Sequence, residues 1–236
     1  MGEELAEGLI EINENSLQTA ITPTQEAHFV LIHGIGGGAW CWYKIKCVME
    51  NSGHRVTCLD LTSAGIDQTD PNTVLSFQDY NRPLVEFLQS LEDGQQVILV
   101  GHSAGGLSVS DAIHKFGRKI KAAVFVGATM LKCGFASDED VKDDSCLAAM
   151  LLKPGPIQAL QSATFTETED SDKVPRIYIK TSRDRILRSY QQDAMIKKWP
   201  PSEVYALESD HSPFFSAPLG LIEFLVKVAV THGSDE

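Results

Sequence analysis

The sequence predicts an α/β fold, an open and mostly parallel sheet with helices on both faces. Short apolar runs rich in β-branched residues stop at turn signals, and helix-like segments fall between them. The runs are continuously apolar rather than alternating, as suits strands buried on both faces of a parallel sheet. The chain has 236 residues and is 43% hydrophobic, enough for one sizeable core.

The predicted strands are "HFVLIHG" (28–34), "HRVTCLDL" (54–61), "QQVILVGH" (95–102), "IKAAVFVGAT" (120–129), "PRIYIKTS" (175–182) and "EVYALES" (203–209). The predicted helices are 41–53, 77–91 with Pro83 as a kink or late start, 104–117, 189–199 and 218–232. Residues 1–26 read as a loose acidic tail. The core occupies 27–129 and resumes at 175–236. The insertion 130–174 carries no clear strand and interrupts the alternation. Leu147 to Leu152 is apolar enough to need cover, so a small helical cap over a pocket is expected there.

A net charge of -12 argues against a surface for nucleic acid. The five cysteines form no C-x-x-C pair and read as buried, reduced thiols. No Cys and His stand at metal-ligand spacing, so neither a metal nor another cofactor is expected. The start of the chain lacks a basic segment followed by a long apolar core, and no run approaches the length of a membrane span. A cytoplasmic protein is the expectation.

The strand 95–102 runs into "VILVGHSAGG", where a serine appears among small residues just before a helix. Gly101-His102-Ser103-Ala104-Gly105 fits G-x-S-x-G, the strand–turn–helix elbow that presents a nucleophile. Such a turn crowds the backbone two residues before and after the serine, which favours glycine there. In return the hydroxyl stands free at the carboxyl end of the sheet, where open α/β folds bind ligands. The bland reading, an N-cap serine, leaves the small residues unexplained.

A serine hydroxyl needs a base at neutral pH. His28 starts a strand, His54 precedes one, His114 lies mid-helix and His232 is near the chain end. His33 and His102 flank glycine turns. His211, in "LESDHSPFFSAP", follows the last predicted strand and so returns to the edge where Ser103 points. Asp184, in "IKTSRDRIL", lies just past strand 175–182 and is the expected orienting acid. Asp210 adjoins His211 and is poorly placed to orient it, and Asp60 is a third choice. The order Ser103, Asp184, His211 is that of α/β-hydrolases.

Ester hydrolysis builds negative charge on a carbonyl oxygen, which fixed N–H donors stabilise. The candidates are the backbone N–H groups of Ala104, right after the nucleophile, and Ile35, in the loop "HGIGGGAW". That loop also matches a dinucleotide fingerprint, Gly34-x-Gly36-x-x-Ala39, with Asp60 ending the next strand. Trp40, Trp42 and Tyr43 crowd the helix that would have to pack tightly on the sheet. An NAD-dependent oxidoreductase would also leave the elbow and the Asp184/His211 pair without a role.

Together, "HFVLIHGIGGGAWCWYKIK", "VTCLDL", "VILVGHSAGG", "VPRIYIKT" and "ESDHSPFFSAP" resemble the plant methylesterase family of α/β-hydrolases, from about residue 27 to 232. That family includes methyl salicylate, methyl jasmonate and methyl indole-3-acetate esterases, polyneuridine aldehyde esterase and hydroxynitrile lyases. "DAMIKKWPPSEVYALESDHSPFF" most resembles the methyl indole-3-acetate branch. The resemblance implies Ser103, Asp184 and His211 as triad, oxyanion N–H groups from Ile35 and Ala104, a small methyl ester as substrate, and a homodimer by analogy. Gly34, Trp40, His102 and Phe214 are the substrate-contact candidates, although Trp40 and Phe214 could equally be core. The lyases are known for a threonine after the first-loop histidine and a lysine after the catalytic histidine. Here those places hold Gly34 and Ser212, which favours ester hydrolysis. A non-catalytic ligand-binding member of the same fold is the other alternative.

One departure stands out. The chain passes from "DEDVKDD" straight to "SCLAAMLLKPGP", where this family carries a longer stretch of helix and hairpin. The cap is either shortened or incompletely represented. The second is expected, because loss of so much lid would uncover apolar surface. Regular Cα spacing of about 3.8 Å from Lys142 to Leu147 would exclude it.

Overall fold

The computed structural model describes residues 26–135, 154–166, 168 and 171–233. Its strands are β1 (His28–Ile32), β2 (Arg55–Leu59), β3 (Val97–His102), β4 (Ile120–Val126), β5 (Gly134–Phe135), β6 (Thr164–Phe165), β7 (Arg176–Thr181) and β8 (Glu203–Leu207). Six of them form one sheet in the order β2-β1-β3-β4-β7-β8. Every neighbouring pair in it is parallel.

The helices are α1 (Tyr43–Asn51), α2 (Phe77–Tyr80), α3 (Arg82–Ser90), α4 (Gly105–Phe116), α5 (Ile157–Gln161), α6 (Ser189–Lys198), α7 (Pro213–Ser216) and α8 (Pro218–His232). Successive strand residues point to opposite faces, and two cores follow. Leu99, Ala123 and Phe125 join Leu84, Leu88 and Met195 on one face. Ile98, Val100, Ala122 and Val124 join Ile45, Met49, Leu221 and Leu225 on the other. The central strand β3 is buried along its whole length, which explains its unbroken apolar run. The edge strand β8 alternates between partly buried and exposed residues over its first four positions.

Three expectations need correction. The helix expected over 77–91 breaks at Asn81. Pro83 has no N–H to give and is accommodated in the first turn of α3. Asn81 is buried and donates its side-chain N–H to Asp111 Oδ2 at 2.9 Å. The insertion holds a two-residue antiparallel pair, β5 with β6, too short to leave a period in the sequence. Cys47 and Cys133 are exposed rather than buried, while the described cysteines Cys41, Cys47, Cys58 and Cys133 are all free. The tail 1–25, the expected cap helix at 147–152 and the junction Lys142–Leu147 lie outside the described residues.

Candidate active site

A parallel sheet brings all its carboxyl ends to one edge. Ile32 pairs with Gly101, His102 with Val126, Val126 with Ile179 and Thr181 with Leu207. The loops leaving β1, β3, β7 and β8 therefore open side by side. They carry Gly34, Ser103, Asp184 and His211, which lie far apart in sequence.

Asp184, His211 and Ser103 form a continuous relay. The Ser103 hydroxyl donates to His211 Nε2 at 2.9 Å. His211 Nδ1–H donates to Asp184 Oδ2 at 2.7 Å. A carboxylate only accepts, so the proton is on Nδ1 and Nε2 presents a lone pair to the serine. The Thr181 hydroxyl donates to Asp184 Oδ2 at 2.7 Å, and the N–H groups of Ile186 and Leu187 donate to Oδ1 at 2.8 Å each. Burial alone would push the Asp184 carboxyl up. The hydrogen bond and charge of His211, with the Thr181 and Leu187 bonds, hold it below its ordinary value. The carboxylate thus stays charged and fixed. Asp210 is engaged elsewhere, accepting from the Ser212 N–H at 2.8 Å and the Ser216 hydroxyl at 2.7 Å.

Ser103 has φ of 53°, in the left-handed region that a non-glycine residue seldom enters. The elbow is pinned by its carbonyl, which accepts from the N–H groups of Gly106 and Thr129 at 3.0 Å each. The glycines of the motif are required by close approach. A Cβ at Gly105 would lie 2.5 Å from the His33 carbonyl oxygen, and one at Gly101 would lie 2.7 Å from the Gly105 carbonyl oxygen. These are main-chain contacts that cannot give way.

The loop after β1 lies directly over the elbow, since a Cβ at Gly34 would be 2.8 Å from Ser103 Cβ. Among the described residues, neither Ile35 nor Ala104 donates its N–H to a backbone carbonyl. The turns use the N–H groups of Gly37, Gly106 and Leu107 instead. His33, fully buried, holds this loop. Its Nε2 accepts from the Leu61 N–H at 3.1 Å, so Nδ1 carries the proton and donates to the Gly34 carbonyl at 2.7 Å. Burial pushes the His33 pKa down, which keeps the ring neutral in this role. Asp60 accepts from the Ala39 N–H at 2.6 Å and the Ile66 N–H at 3.3 Å. A ribose-binding acid would need those oxygens free, so the fingerprint residues form a clamped loop.

Trp40 is 53% exposed and stacks on Phe215, with ring centroids 6.2 Å apart. His102 and Phe214 are 5% and 4% exposed, enclosed in aromatic packing rather than set on an open wall. Phe214 packs edge-on against Trp42 at 5.1 Å and His102 at 4.9 Å. Two supporting residues escaped the sequence reading. Thr181 has a local signal, a hydroxyl three residues before the acid. Asp60 as a loop clamp has none, because its partners come from separate loops. No group of His, Cys, Asp and Glu suited to a metal ion occurs among the described residues.

Comparisons with known proteins agree with this fold. A family model described as the alpha/beta hydrolase fold matches residues 27–145. Methylesterase 17 of Arabidopsis thaliana is 46% identical over 256 aligned positions, covering 88% of this chain and 93% of the relative. That alignment is longer than the 236-residue chain, so the relative has residues without a counterpart here. Methyl jasmonate esterase 1 of Vitis vinifera is 35% identical, covering 88% of this chain and 98% of the relative. The crystal structure of an Arabidopsis methylesterase superposes with a TM-score of 0.79 at 38% identity, covering 87% of this chain and 99% of that one.

Proposed function

The chain belongs to the plant methylesterase family of α/β-hydrolases, and we propose that it hydrolyses methyl indole-3-acetate through an acyl-enzyme on Ser103. The observation that carries the mechanism is the relay from Ser103 through His211 to Asp184, at 2.9 and 2.7 Å.

In this reading His211 Nε2 takes the Ser103 proton as Oγ attacks the ester carbonyl carbon. The oxygen of the tetrahedral intermediate gains negative charge, and the N–H groups of Ile35 and Ala104 stabilise it. His211 then gives its proton to the methoxy oxygen, and methanol leaves. A water molecule loses a proton to the same nitrogen and attacks the acyl carbon. The second tetrahedral intermediate collapses as His211 returns that proton to Oγ, releasing indole-3-acetic acid and free Ser103. Asp184 keeps its negative charge throughout, holding the Nδ1–H tautomer and stabilising the imidazolium.

The indole ester is favoured by the resemblance of residues 193–215 to that branch, and the exposed Trp40–Phe215 stack gives an aromatic acyl group a flat surface near the site. Lyase chemistry is disfavoured because Ser212, not a cation, follows His211. The same reading keeps the enzyme in the cytoplasm, where its free cysteines suit a reducing compartment, and takes it as a homodimer by analogy. No helix among the described residues is long and apolar enough to cross a membrane.

The test is release of free acid from methyl indole-3-acetate by the purified protein beside Ser103→Ala. Release that vanishes in the variant supports the proposal. A folded protein that hydrolyses other methyl esters but not this one overturns the substrate. A folded protein that hydrolyses none, yet binds the ester, favours the ligand-binding alternative.

A further inference from the structure

We infer that His102 is a positioning residue for the catalytic histidine, holding the loop that carries His211 through a hydrogen bond from its Nε2–H to the His211 carbonyl. The inference rests on the hydrolase reading above.

The bond is 2.5 Å long. A carbonyl only accepts, so Nε2 carries the proton and the ring is oriented by its partner. The packing allows this ring little freedom. His102 is 5% exposed. Phe214 and Trp42 meet it edge-on, with centroids 4.9 and 6.4 Å away, and the His211 ring lies 4.7 Å away. Its other nitrogen faces the oxyanion loop, since a Cβ at Gly34 would lie 3.1 Å from His102 Nδ1.

One side chain therefore touches the catalytic-histidine loop and the oxyanion loop, while its own backbone leads into Ser103. Two of those segments carry the nucleophile and the base of the relay, and the third carries a proposed oxyanion donor. Flanking bonds hold the 208–212 loop at other points, through Arg183 N–H to the Ser209 carbonyl at 2.9 Å and Ser212 N–H to Asp210 at 2.8 Å. The His102 bond acts on residue 211 itself. Burial, helped by the neighbouring His211, pushes the His102 pKa down to about 3. The ring thus remains a neutral donor at neutral and mildly acidic pH. A misplacement of the base by an ångström would cost about a hundredfold in rate, because proton transfer depends on a near-attack geometry.

The competing view is that His102 only fills space among aromatic rings. His102→Gln and His102→Met separate the two, because they match in length and differ in the N–H donor. Two readouts serve: kcat and KM on a methyl ester the parent hydrolyses, and the rate at which a fluorophosphonate labels Ser103. Labelling needs the serine and its base but no natural substrate, so it remains informative if the ester assignment is wrong. The glutamine variant is expected to stay within about tenfold of the parent in kcat and labelling. The methionine variant is expected to lose about a hundredfold in both with KM little changed. Equal rates for the two variants, or a loss confined to KM, would overturn the inference. His102→Gln beside His102→Leu repeats the comparison if the methionine variant fails to fold. Absence of both hydrolysis and labelling in the folded parent would sink the hydrolase reading instead.

Discussion

Asp60 reaches from the end of β2 to the loop after β1, where its Oδ1 accepts the Ala39 N–H at 2.6 Å. Its other oxygen takes the Ile66 N–H at 3.3 Å. The glycine-rich loop over Ser103 is thus held from the side by a carboxylate that touches none of the proposed reacting atoms. Asp60→Ala leaves both N–H groups without this acceptor, at a cost of about 1–3 kcal/mol. The expected result is a lowered Tm and a fall in kcat of about tenfold or more, with a smaller change in KM, because the proposed oxyanion donor Ile35 would lose its fixed geometry. Unchanged kcat and Tm would refute the clamp.

The two acids beside His211 should separate sharply. Asp184 contacts Nδ1, whereas Asp210 ties the Ser212 N–H and the Ser216 hydroxyl. Asp184→Asn would favour the wrong tautomer and is expected to lower kcat by about ten-thousandfold. Asp210→Asn keeps one acceptor oxygen and should leave kcat within about tenfold. Steady-state assays of both variants at neutral pH decide the matter, and comparable losses would contradict the assignment.

Stability should fall on mild acidification. Burial pushes the pKa of His102 to about 3 and, with help from the Arg55 charge, that of His28 to about 4. It also lowers His33 and His54. Each ring binds its proton more readily in the unfolded chain, near pH 6.5, than in the folded one. Stability therefore rises with pH between the folded and unfolded values. Urea midpoints are expected to drop steadily from pH 6.5 to 5, before Asp184 begins to titrate. The drop should be shallower in His102→Gln. A flat profile over that range would count against burial of the neutral rings.

The fold and much of the site were legible because their signals are local. Each strand of the main sheet follows from a run such as "VILVGH", which β3 reproduces as Val97–His102. Once a parallel sheet is inferred, residues just past strand ends must share an edge, and that rule joined Asp184 and His211 to the serine of the Gly101–Gly105 elbow. The remainder depends on contacts between distant segments. Nothing near Asn81 announces that Asp111 will take its side chain, so the helix break was invisible beyond Pro83. His102 and Phe214 sit in motifs that suggest an exposed wall, yet the aromatic packing of Trp42 from another segment buries both. The helix Pro213–Ser216 was hidden within a stretch read as the loop carrying the base.

Ser103 holds its φ of 53° because the carbonyl bonds from Gly106 and Thr129 leave the elbow no other course. A side chain in that region costs about 1–2 kcal/mol, which glycine would not incur. The most relaxed residue for this position is therefore one that cannot attack an ester. Stabilising selection acting alone would drift toward an inert chain here, so the serine marks a place where evolutionary pressure for thermal robustness and pressure for turnover oppose each other on a single torsion angle.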